Sequence, residues 1–169
     1  MLNKNIEKAL NNQVESEANS SQFYLAMASW AENNGFNGTA NFLYQHSDEE
    51  RQHMLKLIKF INERGGNAII PSLNKPPAKF NNITEIFKSL LEHGIKVTLQ
   101  INKLVAICLT NKDYTTQNFL QWYVSEQIEE EALARNIMDK LKLVGNDNGS
   151  LYLFDRDIQQ LTVISAVQD

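Results

Sequence analysis

The hydrophobic positions of this chain recur at the spacing of α-helices, and only a few turn signals interrupt them. The turn signals are NNGFNG near residue 34, Gly65-Gly66, and GNDNG after residue 144. All three prolines, Pro71, Pro76 and Pro77, lie in a stretch without helical periodicity. The pattern predicts four long helices and a short fifth one, with bounds at about 5–33, 39–64, 83–110, 113–144 and 151–164.

The lengths of the connections predict how these helices pack. Two connections are short, so each joins antiparallel neighbours, whereas the segment of about 67–82 is long enough to cross the length of a bundle. We expect the hydroxyl of Thr39 to cap the second helix and Gly65 to end it. The sequence therefore predicts an all-α protein, a four-helix bundle with one long crossover and a short C-terminal helix, forming one domain over 1–169.

Composition narrows the class of protein. The chain has 169 residues, 43% hydrophobic and 21% charged, which suits one globular domain with a sizeable core. The N-terminus lacks a signal-type apolar segment, and no apolar run approaches the roughly 18 residues of a membrane span, so we expect a cytoplasmic protein with no membrane partner. The net charge is −4 without a block of basic residues, which argues against a nucleic-acid partner. Cys108 is alone, which excludes an internal disulfide and a cysteine-based metal cage.

Acidic residues interrupt the apolar stripes of three helices near mid-length. Glu17 follows Leu10 and Val14 in the first helix, Glu50 and His53 precede Leu57 in the second, and Glu130 lies on the stripe of the fourth with Gln127. An isolated buried carboxylate costs several kcal/mol, so several together indicate a cation. Glu50 and His53 form Glu-x-x-His, which places an oxygen and a nitrogen donor on adjoining turns. This oxygen-rich set with one imidazole favours iron or manganese.

These residues also have plainer explanations. A single Glu-x-x-His pair in a helix is usually solvated, and an acidic run such as 129–131 is usually a wet turn, which is our expectation for Glu131. We expect His46 to support the metal ligands or to pack in the core rather than to bind metal. We expect His93, which is off the stripe of its helix, to face solvent. The coincidence of Glu17 and Glu50 with apolar stripes favours the metal interpretation.

Three motifs carry a resemblance to a known family. SSQFYLAMASW in the first helix, HSDEERQHM in the second and NFLQWYVSEQIEEE in the fourth resemble the bacterial non-haem ferritins, and the similarity continues to GSLYLFD before the last helix. The resemblance implies a ferritin-like fold and a homo-oligomeric shell of twenty-four subunits. It further implies that the protein oxidises Fe(II) with oxygen or peroxide at a centre inside each bundle and stores a ferric mineral. No haem is expected.

The resemblance also implies a set of iron ligands. Glu17, Glu50 and His53 match the first iron site, and Glu50 would bridge to a second iron beside Gln127 and Glu130. The ligands of a third iron site in bacterial members match Glu49, Glu126, Glu129 and Glu130. Tyr24 matches a tyrosine beside the centre, a one-electron donor or a hydrogen-bonding partner.

Gly94 departs from the family pattern. The family's second iron site expects a glutamate from the third helix at this position, and the apolar stripe independently places residue 94 facing inward. Glu92 lies about 200° away around the helix and cannot substitute. Two interpretations follow: a second iron that binds weakly, which we favour, or a centre that is mononuclear in its first site. The alternative function is a storage or structural shell subunit with little ferroxidase activity of its own.

Three related classes fit the sequence less well. A bacterioferritin would carry a haem-ligating methionine where this chain has Arg51, and it would have a second Glu-x-x-His. A rubrerythrin needs paired cysteines. A DNA-protecting mini-ferritin lacks the fifth helix and builds its site between subunits.

Overall fold

The computed structural model describes residues 2–145 and 147–165, which form five helices and no strand. The helices are α1 (Lys4–Asn33), α2 (Asn37–Glu63), α3 (Ile83–Thr110), α4 (Tyr114–Val144) and α5 (Asn148–Ser165). The predicted all-α class is therefore confirmed for the described residues. None of these helices combines the length and hydrophobicity needed to cross a bilayer.

The four long helices form two hairpins, α1 with α2 and α3 with α4, joined by short connections over 34–36 and 111–113. The segment 64–82 links the hairpins and contains no helix or strand, which confirms the predicted crossover. Apolar side chains gather in two clusters, one around Met27, Phe87 and Ile137 and the other around Leu10 and Ile101. The acidic positions of the stripes lie between these clusters, so α1, α2 and α4 share a polar layer at mid-length.

The start of α2 differs from the prediction. The helix begins at Asn37, its N-cap Phe36 makes no side-chain hydrogen bond, and Thr39 does not cap it. The cap comes instead from Asp155 of α5, whose carboxylate accepts the backbone N–H groups of Gly38 and Thr39 at 2.9 and 2.8 Å and the Thr39 hydroxyl at 2.8 Å. A carboxylate at a helix N-terminus satisfies unpaired N–H groups and opposes the helix dipole. The prediction failed because the capping group is more than a hundred residues away in sequence.

The close approach of α5 also explains a glycine. A β-carbon on Gly38 would fall on the backbone carbonyl of Asp155, so no larger residue fits at position 38 without moving α5. Helix α5 itself begins at Asn148, before the predicted start, because the Asp147 carboxylate accepts the N–H of Ser150 at 2.8 Å. At the preceding break, Gly145 has a φ of +62°, whereas Asn146 lies outside the described residues.

We expect Asp155→Ala to lower the free energy of unfolding by about 1 kcal/mol, the usual loss on removing a capping carboxylate. Thermal unfolding followed by circular dichroism measures this change. Asp157→Ala is the matched control, because Asp157 is exposed on the same helix and pairs only with its neighbour Arg156 among the contacts seen. Equal losses in the two variants would show that Asp155 does not stabilise α2.

Candidate metal centre

Three buried ligand groups come together between α1 and α2. Glu17, Glu50 and His53 each place one ligand atom within 4.8 Å of the others. Their exposed fractions are 1%, 3% and 6%, so all three lie in the interior of the bundle. The Glu-x-x-His spacing of α2 places Glu50 and His53 on one face, and the packing of α1 against that face brings Glu17 opposite them.

Two carboxylate oxygens of this group have no hydrogen-bond donor among the described residues, Glu17 Oε2 and Glu50 Oε2. The other oxygen of Glu17 accepts the side-chain N–H of Gln13 at 2.7 Å, and Glu50 Oε2 lies 3.6 Å from His53 Nδ1. A buried acceptor without a partner costs about 1–3 kcal/mol, more when charged. Because oxygen atoms with free lone pairs are what a hard cation requires, a divalent ion fits this set.

Burial and mutual repulsion shift the protonation of these carboxyl groups. Burial, followed by the charge of Glu50, raises the pKa of Glu17 well above its usual value. Burial and the charge of Glu130 raise the pKa of Glu50 in the same direction. A bound cation would favour the charged forms and release these protons.

A second group of ligand atoms shares His53. His53, Glu126 and Glu130 offer ligand atoms that also lie within 4.8 Å of one another. Glu130 Oε1 is 4.0 Å from His53 Nδ1, and Glu130 Oε2 accepts the side-chain N–H of Gln127 at 3.0 Å. Burial raises the pKa of Glu130 to about 7. Helix α4 thus faces the first group with a second set of oxygen donors.

The remaining predicted acids line a groove of about 980 Å³ between α2 and α4, which Glu126 and Glu130 also line. Glu49 lies on one wall, where His46 Nδ1 is 2.7 Å from its carboxylate, and Glu129 is exposed on the other. The structure does not bring Glu49 or Glu129 into either group of converging ligand atoms. His46 contacts Glu49, and its ring makes a T-shaped contact with that of Phe42.

Tyr24 is buried beside the centre, 4% exposed, with its ring 6.2 Å from His46 and 5.7 Å from His93. Burial and the charges of Glu50, Glu130 and Glu17 raise its pKa well above the usual value. The phenol therefore keeps its proton near neutral pH in the metal-free protein.

The expectation that His93 faces solvent is wrong. Its Nε2 lies 2.6 Å from Ser20 Oγ, and its ring packs 5.3 Å from that of Phe23. Burial and the charge of Lys96 lower the pKa of His93 to about 4. The packing of α1 against α3 partly buries this residue, which a stripe drawn on α3 alone does not reveal.

Gly94 is buried at the level of the centre. Apart from its own helix backbone and chain neighbours, no described heavy atom lies within 4 Å of where a β-carbon would stand. The Thr98 hydroxyl is 3.1 Å from the Gly94 carbonyl and 3.2 Å from Gln127 Oε1, which joins this turn of α3 to the ligand-bearing face of α4. Glu131, expected to be wet, instead faces α3, where its carboxylate contacts Thr98 and also accepts Arg135 at 2.7 Å.

Sequence reasoning missed three residues that support the centre. Gln13 holds Glu17 from one helical turn away, a spacing that could have been noticed. The Tyr123 hydroxyl donates to the His53 carbonyl at 2.7 Å, and the Trp122 ring lies 5.1 Å from that of His53. Both tyrosine and tryptophan come from α4, so their contacts with α2 depend on the tertiary structure.

The bundle, with its inward carboxylate and histidine groups, is typical of the helical proteins whose metal sites are built from side chains on facing helices. The comparisons with known proteins agree. A family model described as Ferritin-like domain matches residues 7–144. A probable bacterial non-heme ferritin-like protein of Haemophilus influenzae is 43% identical over 162 residues, covering 96% of this chain and 98% of that protein. A bacterial non-heme ferritin of Campylobacter jejuni is 42% identical over 163 residues, with coverage of 96% and 98%.

A solved structure, described as an open pore ferritin from Archaeoglobus fulgidus, superimposes with a TM-score of 0.92 at 36% identity, covering 94% of this chain and 98% of that one. The chain therefore belongs to the ferritin-like family. The predicted resemblance to the bacterial non-haem ferritins is confirmed by relatives that span almost its whole length.

The raised pKa values predict how the stability of the metal-free protein depends on pH. A carboxyl whose pKa is raised by folding keeps a proton that the unfolded chain has lost. Its contribution to the free energy of unfolding is fully present below the unfolded-state pKa, 4.5, and is lost as pH rises through the folded-state pKa, about 7 for Glu130. With a chelator present, we expect the melting temperature to decrease as pH rises from 4.5 to about 7, and we expect this decrease to be smaller in Glu130→Gln. Exposed Glu129→Gln is the control, and identical pH profiles for both variants would contradict the assignment.

Proposed function

We propose that this protein is an iron-storage ferritin that oxidises Fe(II) inside its helical bundle and stores the ferric product in a hollow homo-oligomeric shell. The observation that carries the proposal is the convergence of Glu17, Glu50 and His53 in the interior, with two carboxylate oxygens that no donor satisfies in the described chain. Membership of the ferritin-like family supports the same function. By the resemblance to the bacterial non-haem ferritins, the shell would have twenty-four subunits. The proposed location of the shell is the cytoplasm.

In this proposal iron is the substrate. Glu17, Glu50 and His53 hold the first Fe(II), and Glu50 extends its second oxygen toward the next ion, beside Glu130 and Gln127. Each Fe(II) gives up one electron, so two Fe(II) with two protons reduce one O₂ to H₂O₂ and leave two Fe(III). With peroxide as oxidant, two Fe(II) and two protons reduce one H₂O₂ to two molecules of water and leave two Fe(III). Tyr24, buried beside the carboxylates with its proton held, is a phenol that can supply a hydrogen bond or a single electron.

The groove between α2 and α4 supplies a path for iron beyond the buried centre. Glu49, Glu126 and Glu129 line it, next to Glu130. Carboxylates spaced along a groove bind hard cations without enclosing them, which suits ions that pass onward to a mineral. We assign these residues, with Glu130, to a third iron site that is more open than the first.

The glycine at position 94 favours an atypical rate of Fe(II) oxidation. It also supports the second candidate function, a storage subunit with little ferroxidase activity. Without a carboxylate from α3, the second iron depends on Glu50 and Glu130, and its binding is weakened. If that loss abolishes fast oxidation, the protein is a storage subunit with little catalysis of its own.

The test of the leading function is the rate of Fe(II) oxidation in air, followed by ferric absorbance, with the product then passed through a sizing column. We expect iron to elute with a large assembly and Glu50→Gln to slow oxidation by at least about 10-fold, because losing a ligand costs no less than losing a group that only orients one. Glu63→Gln, exposed on the same helix, is the control for loss of one carboxylate outside the centre, and it should oxidise Fe(II) at the wild-type rate. Equal rates for wild type and Glu50→Gln, with iron still in the shell, would favour the storage-only function.

Restoring a carboxylate on α3 tests the role of Gly94. The open space around its β-carbon position admits a side chain, so Gly94→Glu should fold and should raise the initial oxidation rate above that of wild type. Gly94→Ala is the matched control, since alanine stabilises the helix by about 1 kcal/mol without adding a ligand. A rate for Gly94→Glu no higher than for Gly94→Ala would show that the second site does not limit oxidation.

A further inference from the structure

The hydroxyl of Thr98 lies between α3 and α4 with more acceptors around it than it has hydrogens. Its Oγ is 3.1 Å from the Gly94 carbonyl oxygen, 3.2 Å from Gln127 Oε1 and 2.5 Å from Glu131 Oε1. A hydroxyl has one hydrogen, so Thr98 can donate to one of these three oxygens at a time. The choice of acceptor matters because Gln127 borders the candidate metal centre, where its Nε2 donates to Glu130.

The distances and the charges assign this hydrogen to Glu131. A hydroxyl that donates to a carboxylate lies about 2.5–2.7 Å from it, which matches the contact of Thr98 with Glu131, and such a bond is roughly twice as strong as one between neutral groups. Arg135 binds the other carboxylate oxygen of Glu131 at 2.7 Å and so keeps this acceptor in place. The 3.2 Å between Thr98 and Gln127 exceeds the range of about 2.5–3.0 Å for O–H to oxygen and lies within the range for N–H to oxygen.

The side-chain amide of Gln127 can exchange its oxygen and nitrogen by a half-turn, because its two ends have nearly the same size and shape. Gln127 is buried, so the orientation of its amide depends on its protein partners. With Nε2 on Glu130, the amide oxygen faces Thr98, whose hydrogen is already given to Glu131. After a half-turn, Nε2 donates to Thr98 Oγ and the amide oxygen faces Glu130. The turned amide therefore resolves the shortage of hydrogens at Thr98.

A metal ion bound by Glu130 favours the turned amide. A cation repels the positive end of an N–H group, whereas an amide oxygen is a hard ligand for it. Two oxygen ligands at about 2.1 Å from one ion and at right angles to each other lie about 3.0 Å apart. The end of the Gln127 side chain is 3.0 Å from Glu130 Oε2. The amide oxygen in its turned position and the carboxylate oxygen can thus bind the same ion.

We propose that Thr98 is a positioning residue for the second metal ion: it accepts an N–H of the turned Gln127 amide and thereby directs the amide oxygen to an ion bound by Glu130. This inference rests on the proposed metal centre. Helix α3 has no carboxylate at position 94, and it contributes to the centre through Thr98, about one turn further along, without touching the ion.

A double-mutant cycle measured with Zn²⁺ tests whether Thr98 acts through Gln127. Zinc binds the same donor types and undergoes no redox chemistry, so calorimetric titration of the metal-free assembled protein reports affinity alone. The cycle uses Thr98→Val, which removes the hydroxyl and keeps the shape of the side chain, Gln127→Leu, which removes the amide, and the double variant. Glu130→Gln identifies the second zinc as the ion whose affinity it lowers most. Circular dichroism checks the helix content of each variant.

We expect Thr98→Val to weaken the binding of the second zinc about fivefold, the effect of one ordinary hydrogen bond, and to leave the first zinc unchanged. In the Gln127→Leu background the same substitution should have no effect, because no amide is left to position. Thr98→Ser keeps a hydroxyl and should bind zinc as wild type does. Thr110→Val is the matched control, since Thr110 is exposed on the same helix and its hydroxyl donates to the Ala106 carbonyl at 2.9 Å.

The outcomes separate this inference from the proposed function. Zinc binding at the centre that Thr98→Val leaves unchanged would overturn the inference alone and leave the metal centre intact. An equal loss in the Gln127→Leu background, or an equal loss for both zinc ions, would indicate a general effect on packing and would also overturn it. Zinc binding that neither Glu50→Gln nor Glu130→Gln weakens would remove the metal centre, and with it both the inference and the proposed function.

Discussion

The burial of carboxylates without donors is the constraint on which the rest of this structure depends. Glu17 and Glu50 each hold an oxygen in the interior that no described group satisfies. The two apolar clusters on either side stabilise the bundle that holds this polar layer. The unpaired oxygens of this layer destabilise the metal-free protein. The same oxygens are available to bind a cation, so metal binding would stabilise the bundle.

The polar layer is not symmetric. Helices α1, α2 and α4 contribute side chains to it, whereas α3 contributes a glycine with open space around it. A mid-helix glycine costs about 1 kcal/mol relative to alanine, and no close contact at Gly94 explains that cost. The residues around it compensate only in part, since Thr98 joins α3 to Gln127 and Glu131 without supplying a carboxylate. Because α3 supplies no carboxylate, a second metal ion would depend on ligands from the other helices.

Hydrogen bonds within and between helices position the residues of the centre. The His53 carbonyl is fixed by Tyr123 of α4, and Gln13 orients Glu17 from its own helix. Away from the centre, Asp155 of α5 caps α2, the helix that carries both Glu50 and His53. The fifth helix therefore stabilises the N-terminal end of the helix that supplies two of the three buried ligands.

The sequence alone was enough to predict the helices, the crossover and the inward direction of Glu17, Glu50, His53, Gln127 and Gly94, because helical periodicity is a local property that apolar spacing reports directly. It did not predict the contacts of Thr39, His93 and Glu131, which come from other helices: Asp155 replaces the Thr39 cap, Ser20 of α1 contacts the half-buried His93, and Thr98 of α3 contacts the half-buried Glu131. Only the tertiary structure decided which donors satisfy which acceptors, and so which carboxylate oxygens stay unpaired. The physical reason is that a side chain's face follows from its own helix, whereas its hydrogen-bond partners and burial depend on residues brought near by packing.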